Sequence, residues 1–144
     1  MNKPEVVKTY AVDLTRIGPT HYKATNAAGD SVEFGQGEGL LSPVELLLAA
    51  IAGCSSIDVD VVTGRRAESE AFSVHAEGDR VSEQGASRLS SVRLGFDVTF
   101  PDTPEGRQAQ SMVGRLIAIS HDKDCTVSRT VEHPTEVTFT DLNA

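Results

Sequence analysis

The sequence predicts an α+β fold. Three observations carry that expectation. Several short segments alternate apolar and polar side chains as strands do, and two longer segments open on helix-capping residues followed by helically spaced apolar positions. The order runs strands, helix, strands, helix, strand, without the regular strand–helix alternation that a parallel sheet needs.

Taken along the chain, Val6 to Leu14 mixes β-branched and polar residues as a first strand, and Gly18-Pro19 turns it. His21 to Thr25 reads as a second strand, Asn26 to Asp30 as a turn, and Ser31 to Phe34 as a third strand. The glycine-rich Gly35 to Gly39 that follows has no Lys-Ser/Thr ending, so it is not a phosphate-binding loop.

Ser42 then offers a cap, Pro43 suits the first helical turn, and Glu45 stands three residues after Ser42, which is a capping box. The helix is expected from Pro43 to Thr63, with Gly64 closing it. Strands are expected at Ala71 to Glu77 and Ser90 to Phe100, separated by a loop around Ser82 to Ser87. Thr103-Pro104-Glu105 opens a second helix, whose stripe of Ala109, Met112, Val113, Leu116 and Ile117 marks one buried face up to about Ser120. His121 to Asp124 reads as a turn, with His121 capping the helix end, and Thr135 to Thr140 as a last strand.

At 144 residues the chain has room for a single domain, 1–144. A formal charge of −8 works against phosphate backbones and anionic lipid, so neither nucleic acid nor membrane is an expected partner. The start of the chain is polar, and the longest apolar run, Leu46 to Ala52, is too short to span a bilayer. A soluble, cytoplasmic protein is expected. In a reducing compartment its two cysteines are either core residues or a transient redox pair. His121 and Cys125 without further ligands fall far short of a zinc signature, and neither metal nor cofactor is expected.

Between Val44 and Ala52 the only polar side chain is Glu45, so the first half of that helix needs cover on every side. One sheet covers one side. Either a second copy of the chain supplies the rest, making a homodimer with paired central helices, or the chain wraps its own sheet around the helix. Cys54 sits in this helix among Ala49, Ala50, Ala52, Gly53, Ser55 and Ser56, and two readings stay open: a small core residue, or a nucleophile at the floor of an apolar pocket. As a nucleophile it needs a nearby cation, since burial and Asp58, four residues on, both oppose ionisation.

The run Ser42-Pro43-Val44-Glu45 leading through apolar residues to Gly53-Cys54, with Cys125-Thr126-Val127-Ser128-Arg129 after the second helix, resembles the OsmC and organic hydroperoxide resistance superfamily. The resemblance covers nearly the whole chain. It implies an intertwined homodimer, with antiparallel sheets wrapped around central helices, that reduces organic hydroperoxides. It also implies roles: Cys54 attacks the peroxide and becomes a sulfenic acid, Cys125 resolves it as a disulfide, and an external dithiol such as a lipoylated carrier protein restores the thiols. Arg16 resembles the family's active-site arginine, with Arg65, Arg66 and Arg129 as further candidates, and Glu45 would orient the arginine across a dimer interface. The chain departs from the hydroperoxide-resistance pattern at Val44, where a glutamate directly follows the proline, and at Thr126, where a proline follows the second cysteine. The Ser-Pro-x-Glu-Leu form is closer to the OsmC-like branch.

Two further functions fit the residues. One is an apolar-cleft protein that binds a small molecule, with the cysteines merely lining it. The other is acyl transfer through a Cys54 thioester, which lacks a recognisable base.

Overall fold

A computed structural model describes residues 3–144. The chain divides into two compact units, one up to Leu46 and one from Leu47 to Ala144.

The first unit is a three-stranded antiparallel meander, β1 (Asp13–Gly18), β2 (His21–Thr25) and β3 (Ser31–Gly35). The second and third strands and both turns fall where the sequence puts them. The first does not: residues 6–12 take no regular structure, and Val6, Val7, Tyr10 and Val12 are exposed. Alternation makes that segment suitable for a strand, but strand formation also needs a partner's ladder, and β2 pairs only from Asp13 onward. At the other end of the meander Gly35 has φ of 153°, and a Cβ there would sit on the Thr20 carbonyl oxygen. Glycine is therefore required where Gln36 N–H reaches back to that same oxygen at 2.8 Å.

Helix α1 spans Pro43–Thr63, with the predicted bounds. Ser42 N–H donates to Glu45 Oε1 at 2.9 Å, and Glu45 N–H donates to Ser42 Oγ at 3.1 Å, a reciprocal capping box.

In the second unit, β4 (Ala71–Glu83) and β5 (Ala86–Thr99) form one long antiparallel hairpin. The loop expected around Ser82 to Ser87 is instead a two-residue turn, Gln84-Gly85. Both residues have positive φ, 51° and 81°, the conformation whose twist matches that of paired strands. Helix α2 (Pro104–Ile119) starts under a Thr103 cap that accepts Gly106 N–H at 3.0 Å, and Gln110 ties it to β5 through the Val98 carbonyl at 3.1 Å. It runs directly into a π-helical turn, Ser120–Asp124, and a short helix α3 (Thr126–Glu132) follows. Residues 135–140 form no strand, and Val137 and Phe139 are exposed. As with residues 6–12, no partner strand meets them among the described residues.

Within this chain α1 buries one stripe, Ile51, Ser55, Val59 and Thr63, at four-residue spacing. Its other faces stay open: Val44, Leu47, Ile57 and Val61 are exposed. By length and composition α1, with mean hydropathy 1.7, would suffice to cross a bilayer, which the short run Leu46 to Ala52 does not reveal. A core helix of a soluble protein meets the same criteria, and Asp58 and Asp60 fall within this one.

Candidate active site

The second unit brings Cys54 and Cys125 together. Cys54 lies on α1, half-buried, and Cys125 follows the π-helical turn with none of its surface exposed. Both are free thiols, close enough that each shifts the other's ionisation.

The π-helical turn makes this possible. Cys125 N–H bonds to Ser120 O at 2.8 Å, five residues back, so the chain widens by one residue and leaves the helix with Cys125 extended, at φ −79° and ψ 95°. In that conformation Cys125 caps α3, its Sγ accepting Ser128 N–H at 3.4 Å. The Val127 N–H points at Cys54 instead.

Ionisation of the two sulfurs differs in direction. Burial pushes the Cys54 thiol up; its hydrogen bond to Cys125 and the charges of Cys125 and Asp58 add to this, with only Val127 N–H opposing. Burial pushes Cys125 up as well, but donors from Ser128, Cys54 and Ser55 outweigh it and bring that thiol below the ordinary value. The half-exposed thiol keeps its proton and the buried one is the readier to ionise.

Beneath the pair is a chain of buried hydroxyls. Ser55 neighbours the Cys125 sulfur, whose ionisation it favours, and lies 3.0 Å from Ser120 Oγ, and the Ser120 hydroxyl donates to Asp58 Oδ2 at 2.6 Å. Ser55 and Ser120 are 8% and 0% exposed. A cavity of about 630 Å³ runs alongside, lined by Ser55 and Ser128 next to the pair and by apolar side chains such as Ile51, Leu94, Phe96 and Ile117.

The other expected site residues are placed differently. Arg16 lies on β1 opposite Tyr22, exposed and without an ion-pair partner among the described residues. Arg129 donates to the Asp122 carbonyl at 2.9 Å, and Arg65 and Arg66 are exposed beyond the end of α1. No cation is among the groups that set either thiol's ionisation. Glu45 is held below the usual carboxylate range by the Ser42 N–H and hydroxyl. His121 does not cap α2. Its ring bridges Asp122 at 3.1 Å and Glu132 at 3.0 Å, and these partners, Asp122 first, raise its pKa. Among the described residues no group of three or more His, Cys, Asp or Glu could hold a metal ion.

Sequence reasoning missed Ser120 and took Ser55 only as a small residue. The signal available was a pair of hydroxyls, one beside Cys54 and one five residues before Cys125, that would be buried whenever the cysteines meet.

Residues 35–140 match the family described as OsmC-like protein. No curated protein matches the sequence. Among solved structures, a hypothetical protein from Aquifex aeolicus VF5 superposes with TM-score 0.70 at 20% identity, over 88% of this chain and 89% of that one. An OsmC like protein from Mycoplasma pneumoniae gives TM-score 0.67 at 13% identity, over 88% and 89%. An organic hydroperoxide resistance protein OsmC from Legionella pneumophila gives 0.58 at 18%, over 88% and 91%. At these identities the likeness is one of fold.

Proposed function

Since the chain belongs to the OsmC-like protein family, we propose that it is a thiol-dependent peroxidase for organic hydroperoxides, with Cys54 attacking and Cys125 resolving. The observation that carries this is the juxtaposed cysteine pair, one member reachable and the other sealed. A half-buried thiol can meet a substrate, and a buried partner in contact with it can only act on Cys54.

The pair supplies its own base. Cys125, the readier to ionise, accepts as a thiolate the proton Cys54 must lose, and the Cys54 thiolate then attacks the distal peroxide oxygen. The O–O bond breaks, the distal O–H stays on Cys54 as a sulfenic acid, and the departing alkoxide takes a proton from water and leaves as the alcohol. Cys125, once deprotonated, attacks that sulfur and expels hydroxide, which is protonated to water as the disulfide forms. A dithiol reductant, of the lipoylated-carrier kind, takes up the oxidation and returns both thiols in the cytoplasm. The cavity beside the pair has an apolar side, with Ile51, Leu94, Phe96 and Ile117, that suits a substrate with a hydrocarbon body.

Stopped-flow oxidation of the reduced protein by an alkyl hydroperoxide is expected to exceed that of free cysteine by roughly a hundredfold or more. A rate no faster than free cysteine overturns the assignment.

A second copy of the chain completes the fold in this reading. The exposed Val44, Leu47, Ile57 and Val61 of α1 call for apolar cover, and the α1 helices of two copies supply it to each other. Arg16 and Glu45 enter the site by the same route, Glu45 orienting the arginine that favours the thiolate. Glu45→Gln separates this from capping, because glutamine fills a capping box equally well. Thermal stability is expected to stay unchanged while peroxide consumption falls about tenfold, the loss of one charged hydrogen bond. Equal consumption would leave Glu45 a cap only.

The 630 Å³ cavity and the upward shift of Cys54 also favour a second reading, a binding protein for a small apolar molecule. A copurifying ligand that stabilises Cys54→Ser as well as the wild type would support it.

A further inference from the structure

We propose that Ser55, Ser120 and Asp58 form a proton relay that carries the Cys125 proton out of the buried site. The proposal rests on the peroxidase reading, in which Cys125 must give up a proton before it can close the disulfide. Cys125 and Ser120 are 0% exposed and Ser55 is 8% exposed, so water has little or no access to that sulfur.

The hydrogen bonds fix a direction. An ionised carboxylate only accepts, so the one Ser120 hydroxyl proton belongs to Asp58 Oδ2 at 2.6 Å. The Ser55–Ser120 contact of 3.0 Å then takes its proton from Ser55. With its proton so used, the Ser55 oxygen can accept the S–H of Cys125. All three donors point toward Asp58. One concerted shift moves a proton from Cys125 to Ser55, from Ser55 to Ser120, and from Ser120 to Asp58. It leaves a thiolate, two intact hydroxyls and a carboxylic acid, with no proton gained or lost. Afterwards Ser55 donates to the thiolate, the same contact that lowers the Cys125 pKa.

Asp58 is where the chain meets solvent. It is half-buried and lines a recess of about 190 Å³ with Asp124, which is exposed. A proton that reaches Asp58 passes on through this recess. The charged or titratable groups facing Asp58 are Cys54 on its own helix and Asp124 from the π-helical turn. Ser55, Ser120 and Asp58 are positioning residues, acting through Cys125 and not on the substrate.

Disulfide exchange with 4,4′-dithiodipyridine tests this without peroxide. Cys54 attacks first and releases one thiopyridone; Cys125 then attacks the mixed disulfide and releases a second. Asp58→Asn and Ser120→Ala are expected to slow the second release at least tenfold at neutral pH without slowing the first. In these variants the second release climbs about tenfold per pH unit as hydroxide replaces the relay. Ser120→Thr, which keeps the hydroxyl, restores the fast phase. A second release within twofold of wild type in Asp58→Asn overturns the relay, and so does equal slowing of both releases, the mark of a merely structural clamp. A protein that is inert to alkyl hydroperoxide yet shows both releases and their dependence on Asp58 would refute the peroxidase and leave the relay standing.

Discussion

After one equivalent of alkyl hydroperoxide, mass spectrometry is expected to find the reduced protein lighter by two hydrogens, with Cys54 joined to Cys125. The argument is one of proximity: the thiols are close enough to shift each other's ionisation, so a Cys54 sulfenic acid forms beside its own resolving thiol. Cys54→Ser is expected to lose at least about a thousandfold in oxidation rate, because a hydroxyl offers almost no nucleophile near neutral pH. Cys125→Ser keeps the first step but not the second. Its Cys54 gains one oxygen and then, with further peroxide, a second, because no thiol condenses with the sulfenic acid. A sulfinic acid on wild-type Cys54 with Cys125 still free would remove Cys125 from the reaction. The rate should rise with pH, since burial holds Cys54 protonated and the thiolate fraction grows only as pH climbs toward its raised pKa.

How much of this was legible depends on how local the signal is. The bounds of α1 could be read because Ser42, Pro43 and Glu45 settle them within one turn, and the caps seen in the structure are the hydrogen bonds those residues suggest. Residues 6–12 and 135–140 have equally good strand composition and form no strand. Pairing is not local, and among the described residues no strand offers them a ladder. The hairpin turn was hidden for another reason: Gln84-Gly85 does what Asn-Gly does, but glutamine is not a residue that advertises positive φ.

The site was less legible than the fold. Nothing in the residues brings Cys54 to Cys125. The resemblance to the OsmC superfamily supplied that pairing, and the contact depends on a π-helical turn with no sequence signature. The same turn buries Ser120 against Ser55, which is why the hydroxyl chain could not be foreseen. Asp58 shows the limit of one-dimensional reasoning. Four residues from Cys54, it read only as a charge opposed to the thiolate; the structure retains that opposition and adds a hydrogen bond that points away from the sulfurs.

Gly106→Ala is expected to destabilise the fold by at least about 3 kcal/mol, at the upper end of overpacking costs. Gly106 is buried in the first turn of α2, where its N–H donates to the Thr103 cap. A Cβ there would sit on the Pro101 carbonyl oxygen, 2.9 Å from the carbon of that carbonyl and 3.1 Å from Thr103 Oγ1. The obstacle is backbone, so no side-chain rotation relieves it. Pro101 O also accepts Thr103 N–H at 2.9 Å, so moving it away breaks the turn that sets the cap. Either the first turn of α2 unwinds or the segment entering it shifts, and both loosen the helix whose far end holds Ser120 against Asp58. Gly114, exposed in the middle of the same helix, has nothing within 4 Å of its added Cβ. Gly114→Ala should therefore stabilise α2 by about 0.5–1 kcal/mol through helix propensity. Thermal melts of the two variants, opposite in sign on one helix, test the packing of α2. If Gly106→Ala melts with the wild type, the close approach of Pro101 to α2 is not part of the native fold.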